Sequence, residues 1–216
     1  MVPIERAYAR VAWCYDELAQ LYSLGRIGRA KRDHLDALAP GDRVLYAGAG
    51  RGAEAVQAAR LGARVTCLDR TEAMLVRLRR SAARAGVTLQ VQRADVRDPA
   101  ATEAYDGVVA NFFLNVFTPP ELSGLASRLI GSLRPGGFLA VADFARPSGG
   151  AWARAVQHAS YRLADAAGRV LGLAPWQPVH DYARFGKDSG LRLERRRSFP
   201  AWRGGPPLYE AFLWRR

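Results

Sequence analysis

Apolar positions change period along this chain. From about residue 4 to 38, Val11, Leu18, Leu21, Leu24 and Ile27 fall at helical spacings. Pro40-Gly41-Asp42 then punctuates the sequence, and the short apolar run 43–48 ending in glycine suits a buried parallel strand. The pattern continues as helix 53–62 closed by Gly62, strand 63–69, helix 71–86 stopped by Gly86, and strands 88–95 and 105–114. It predicts a further helix over 119–137, ending at Pro-Gly-Gly, and a fifth strand over 138–144. Strand and helix alternate with short breaks, which requires crossover connections and a parallel sheet covered on both faces. Residues 147–180 interrupt the alternation with a helical stretch bearing Trp152, Tyr161 and Trp176. Two last runs, 192–199 and 208–215, flank the turn sequence RGGPP and predict a closing antiparallel pair.

Composition narrows the class. The chain has 216 residues, 49% of them hydrophobic, enough for one domain with a core that needs no disulfide or structural metal. Its two cysteines, Cys14 and Cys67, make neither a zinc site nor a disulfide framework. No run of apolar residues suits a secretion signal or a membrane span, which leaves a globular protein of the cytoplasm as the expectation. The formal net charge is +12, and only Lys31 and Lys187 among the 32 basic residues are lysines. Scattered arginines suit ordinary solvated faces, but they also leave open a basic surface for an anionic partner.

The chemistry centres on Gly48-Ala49-Gly50-Arg51-Gly52, which follows a strand and opens a helix. Glycines let a ligand approach the backbone, and the helix start offers unpaired N–H groups. Asp69 ends the next strand, about 20 residues on, where an acid binds a ribose in nucleotide-binding folds.

Five ordered stretches, VLYAGAGRG (44–52), VTCLDRTEAML (65–75), QRADVRD (92–98), YDGVVANFFLNVF (105–117) and LRPGGFLAVADF (133–144), resemble the motifs of class I S-adenosylmethionine-dependent methyltransferases. YDELAQLYSLGRIGRAKR (15–32) is similar to the segment before the core in the ubiquinone/menaquinone C-methyltransferase branch of small-molecule enzymes. The resemblance implies an α/β fold with a Rossmann-like, doubly wound, mostly parallel seven-stranded sheet and a C-terminal antiparallel strand. Residues 1–216 would form one domain: a helical cover (1–39), a cofactor core (40–146), a helical insertion (147–180) and closing strands (181–216).

Carried over by residue, the resemblance implies S-adenosylmethionine as cofactor. Tyr46, Ala47, Gly48 and Gly50 would lie against its methionine part, and Asp69 would accept from the ribose hydroxyls. Arg70 and Met74 would flank the adenine, Asp95 would accept from its amino group, and the Val96 N–H would reach a ring nitrogen. Asn111 and Phe112 would meet the methionine ammonium and the sulfonium, and Tyr22 or Tyr15 the cofactor carboxylate. Tyr15, Phe113, Asn115 and Tyr161 are the candidates on the substrate side. One departure stands out: the family carries an acid two residues before the first glycine, and here that residue is Tyr46.

The sequence offers His34, His158, His180 and Asp143 as groups able to take a proton, and assigns none of them. The expected partner is a small aromatic or apolar molecule, with no metal and no nucleic acid, and a homodimer stays open. Two other readings remain: an RNA or protein methyltransferase using the arginine surface, and a cofactor-binding relative with altered chemistry at Tyr46.

Overall fold

A computed structural model describes residues 23–98, 104–170 and 179–216. The described chain runs α1 (Arg26–Lys31), a 3-10 turn (Asp33–Ala37), β1 (Arg43–Ala47), α2 (Ala53–Arg60), β2 (Arg64–Asp69), α3 (Glu72–Ala85), β3 (Gln90–Arg93) and β4 (Tyr105–Val109). A second 3-10 turn (Leu114–Val116), α4 (Pro119–Gly131), β5 (Leu133–Phe144), α5 (Ala151–Val170), α6 (Tyr182–Asp188), β6 (Arg192–Pro200) and β7 (Pro207–Arg215) follow. The strands form one seven-stranded sheet in the order β3-β2-β1-β4-β5-β7-β6. β7 is antiparallel to both its neighbours, and the other described pairings are parallel. This is the sheet that the alternating pattern and the closing pair predict.

Alternation along the strands divides the core. Val44 and Tyr46 of β1 join Ala55, Leu75 and Leu78 on one face, while Leu45 and Ala47 join Leu125, Leu129, Val141 and Phe212 on the other. Each large apolar side chain buried there contributes roughly 1.5–3 kcal/mol. Local signals set the ends: α4 starts with a capping box between Thr118 and Glu121 and a proline in its first turn. At α6, Gly186 leaves room for the Trp214 indole, whose Nε1 would lie 2.1 Å from an added Cβ.

Three differences from the expected elements have physical causes. The helix expected to reach residue 137 ends at Gly131, and Leu133 already pairs with Tyr105 as β5. The register then slips before Gly107 meets Phe138, so Pro135-Gly136-Gly137 forms an irregularity inside the strand rather than a helix stop. The fourth strand stops at Val109 instead of running to 114, because Phe112 takes a left-handed φ of 50° and turns the chain. The closing segment from 181 carries α6 before its strands.

Several arginines pair with the chain's own carboxylates. Arg195 and Arg197 both bind the buried Asp33 and reach Asp36, and Arg196 binds Glu210. Arg79 meets Glu72, and Arg215 meets Glu194. Each such pair is neutral, so the net +12 is the charge that these pairs leave uncancelled.

Candidate functional site

The glycine loop leaves β1 at the carboxyl ends of the parallel strands, where open α/β sheets bind ligands. Gly48, Gly50 and Gly52 have φ of 65°, 54° and 57°, a conformation in which a side chain is strained. An added Cβ at Gly48 would strike the Phe113 ring at 2.1 Å, whereas at Gly50 it would meet nothing within 4 Å. The loop therefore packs at its first glycine and is open at its second. Asp69 holds it from the next strand: Gly50 N–H donates to one carboxylate oxygen and Thr71 N–H to the other, both at 2.8 Å. Each oxygen keeps a second lone pair for a ligand donor.

Beside this loop, Ala94 N–H donates to the Asp69 carbonyl and brings Asp95 to the same end of the sheet. The Arg97 side chain donates to both Asp95 oxygens at 3.0 and 2.7 Å, and Arg70 lies 3.5 Å away. Hydrogen bonding from Arg97 pulls the Asp95 carboxyl down to about 2, so it is anionic throughout the ordinary pH range. Met74 is buried on α3, and the Val96 side chain belongs to the core with Leu45 and Ala47.

Tyr46, in the place of the family's acid, is buried and pairs with His34 at 2.7 Å between Oη and Nε2. Burial pushes His34 down to about 3 and Tyr46 well above its ordinary range, so both are neutral. Lys31 and Glu54 stand 3.8 Å apart nearby, and the Glu54 charge acts on Tyr46. Asn111 fastens this corner: its amide donates to the Lys31 carbonyl at 2.9 Å while its oxygen accepts from Ala142 N–H at 3.0 Å. Phe112 N–H donates to the Ala142 carbonyl, and the ring packs edge-on against Phe144 and Tyr209.

The expected substrate side gathers around a group that the sequence offers only as a proton acceptor. Asp143, buried near the end of β5, accepts from the Asn115 amide, from its neighbour's backbone and from the Tyr182 hydroxyl. Burial raises its carboxyl to about 7 against the pull of these donors. Tyr161 lies close enough to feel that charge and packs edge-on to Phe144, with ring centres 4.8 Å apart. His180 Nε2 sits 3.0 Å from the Phe117 carbonyl, and Phe117 in turn packs on Phe113. A groove of about 390 Å³ opens alongside, lined by Arg146, His180, Tyr182, Arg196, Glu210 and Phe212 among others.

The structure thus brings Gly48, Gly50, Asp69, Asp95, Asn111 and Phe113 to one end of the sheet, with Asn115 and Tyr161 around Asp143. Tyr15, Tyr22 and Trp176 lie outside the described residues. Tyr182, Thr71 and Glu54 carry site contacts that no local motif announced. His158 is exposed on α5.

Because the folded carboxyl of Asp143 is raised above its unfolded value of 3.8, its stabilising contribution is full below that value and lost as pH rises through about 7. The melting temperature of the wild type is expected to fall by a few degrees relative to Asp143→Asn between pH 5 and pH 8, read by calorimetry at both values. Parallel profiles would contradict the burial of a titrating carboxyl here.

A model of the family described as "Methyltransferase domain" matches residues 44–137. An uncharacterized protein of Mycobacterium tuberculosis is 36% identical over 105 residues, which are 48% of this chain and 38% of that protein. The chain thus spans well under half the length of that relative. The demethylmenaquinone methyltransferase of Beutenbergia cavernae is 34% identical over 146 residues, 63% of this chain and 59% of that one. Among solved structures, Burkholderia thailandensis 1,6-didemethyltoxoflavin-N1-methyltransferase, with its namesake compound and S-adenosylhomocysteine bound, superposes with a TM-score of 0.63. It is 18% identical and covers 100% of this chain and 92% of that chain, so it speaks for the fold. Sheet order, the open glycine loop held by Asp69 and the matched stretch agree: residues 44–137 are similar to the methyltransferase domain family, and the sheet is the fold of solved S-adenosylmethionine-dependent methyltransferases.

Proposed function

We propose that this protein transfers the methyl group of S-adenosylmethionine to a small apolar or aromatic molecule by in-line displacement. The observation that carries the reading is the Gly50–Asp69 arrangement: an open glycine, a left-handed loop and an anchored carboxylate with spare lone pairs. A nucleoside fits that donor and acceptor set. Asp69 would hold the two ribose hydroxyls, Asp95 the adenine amino group, and Met74 an apolar edge of the base. The loop N–H groups and the corner built by Asn111 would receive the methionine end.

When bound, S-adenosylmethionine supplies an electrophilic methyl group on a sulfonium. The protein's share is alignment, which alone lowers such a barrier by several kcal/mol. Asn111 and Asp143 fix the turn 111–116 at the ends of β4 and β5, and that turn presents Phe113 and Asn115 toward the acceptor. Phe113, Phe117 and Tyr161 wall this side with rings, which suits an apolar or planar acceptor and keeps water away. Two relatives named above, the demethylmenaquinone and didemethyltoxoflavin methyltransferases, are named for small molecules, and this supports the same class here.

Calorimetry is expected to show binding of S-adenosylhomocysteine and none of NAD. Incubation with methyl-labelled cofactor and a metabolite extract is expected to label a small, organic-extractable product. NAD binding without S-adenosylhomocysteine binding would overturn the cofactor. Label entering only RNA or protein would overturn the acceptor class.

A further inference from the structure

α5 turns an unusual face to solvent. Its exposed residues between 151 and 166 are Ala151, Trp152, Arg154, Ala155, His158, Ala159, Arg162, Leu163 and Ala166, with no carboxylate among them. Trp152, Ala155, Ala159, Leu163 and Ala166 recur at steps of three and four, so they form one stripe along the helix. Arg154, His158 and Arg162 run beside that stripe. At one end the stripe is widened by the turn between β6 and β7, where Trp202 packs edge-on against Trp152 with ring centres 5.8 Å apart. Trp152 is 63% exposed, Leu163 60% and Trp202 46%, and the neighbouring Arg203 is exposed as well.

We propose that this face, α5 together with the Trp202–Arg203 turn, docks the protein on an anionic lipid surface. A large apolar side chain left this open costs solubility, and two that meet across different elements form a single wedge rather than scattered exposure. Tryptophan with flanking arginine is the pairing suited to the boundary between headgroups and acyl chains, where the ring enters and the guanidinium stays with the phosphates. Charge selects the occupant. Arg154, Arg162 and Arg203 favour a negative surface, and the chain as a whole carries +12. A second copy laid on the same face would set arginine against arginine with no exposed carboxylate of α5 to answer. Among the described residues no helix is long and apolar enough to cross a membrane, so attachment at this face is peripheral. The other side of α5 carries Tyr161 onto Phe144, at the mouth assigned above to the acceptor. Docking would therefore turn that mouth toward the phase in which an apolar molecule dissolves. The docking does not depend on that reading.

Vesicle sedimentation tests this with the full chain. Wild-type protein is expected to bind vesicles of phosphatidylcholine containing phosphatidylglycerol about tenfold or more tightly than phosphatidylcholine alone, with a blue shift of tryptophan emission. Trp152→Ser with Trp202→Ser leaves the charge unchanged and is expected to abolish the shift and weaken binding about tenfold or more. Arg154→Gln with Arg162→Gln is expected to remove the preference for the anionic lipid. Arg80→Gln with Arg84→Gln, exposed on α3, is expected to change neither beyond the general loss of charge. Circular dichroism and S-adenosylhomocysteine affinity check that each variant is folded. Failure of the wild type to bind, equal binding by the tryptophan variant, or a dimer that the tryptophan variant dissociates would each overturn the proposal.

Discussion

Asp69→Ala is expected to raise the dissociation constant for S-adenosylhomocysteine by about ten- to a hundredfold, a loss of ~1.5–3 kcal/mol, measured by isothermal calorimetry. Two losses combine. The ribose hydroxyls would lose a charged acceptor, and Gly50 and Thr71 would lose the oxygens that hold their N–H groups at 2.8 Å. Asp69→Asn separates them, because an amide oxygen still accepts from one backbone donor but brings no charge. It is expected to fall between wild type and the alanine variant. An unchanged constant for Asp69→Ala would move the ribose to another part of the sheet.

Asn111→Ala is expected to lower the melting temperature by about 5–15 °C, corresponding to ~2–4 kcal/mol. One amide bridges the Lys31 carbonyl and the Ala142 N–H, and its removal takes the side-chain acceptor from a buried N–H and breaks the tie between two segments in a largely buried corner. The resemblance to the methyltransferases gives Asn111 a second task, meeting the methionine ammonium. Cofactor affinity measured well below the melting transition reads that task separately. If affinity is unchanged while stability falls, Asn111 supports the site without touching the ligand. A melting temperature within a degree or two of wild type would show that the corner is held by other means.

The sheet was legible because its signals are local. The apolar runs of β1 and β2, the glycine stops after α2 and α3, and the closing pair around RGGPP each declare themselves within a few residues. The glycine loop and Asp69 were legible for the same reason, since their spacing is imposed by one crossover. What the sequence left unread depends on pairs far apart in the chain. Nothing around Tyr46 announces His34 as its partner, and nothing around Asp143 announces Tyr182, 39 residues later. Leu133 was absorbed into the helix before it, because Pro135-Gly136-Gly137 reads as a stop signal and not as a slip within a strand. The turn at Phe112 was equally hidden: an apolar Asn-Phe-Phe-Leu stretch looks like continuing strand until tertiary contacts force its φ positive.

Sheet order also governs the timing of biosynthesis. β5 lies inside the sheet, yet its partner on one side is β7, the last strand of the described chain. Until β7 leaves the ribosome, Phe138–Phe144 presents an apolar open edge to the cell. Asp33 waits too, since its arginine partners follow 162 and 164 residues later. At the usual pace of translation that interval is roughly 8–30 s. The β5 edge waits less, roughly 3–14 s for the residues between Phe144 and the end of β7, and through that window the nascent chain is a natural client for a chaperone. Chains stopped before Pro207 are the ones that would aggregate rather than wait.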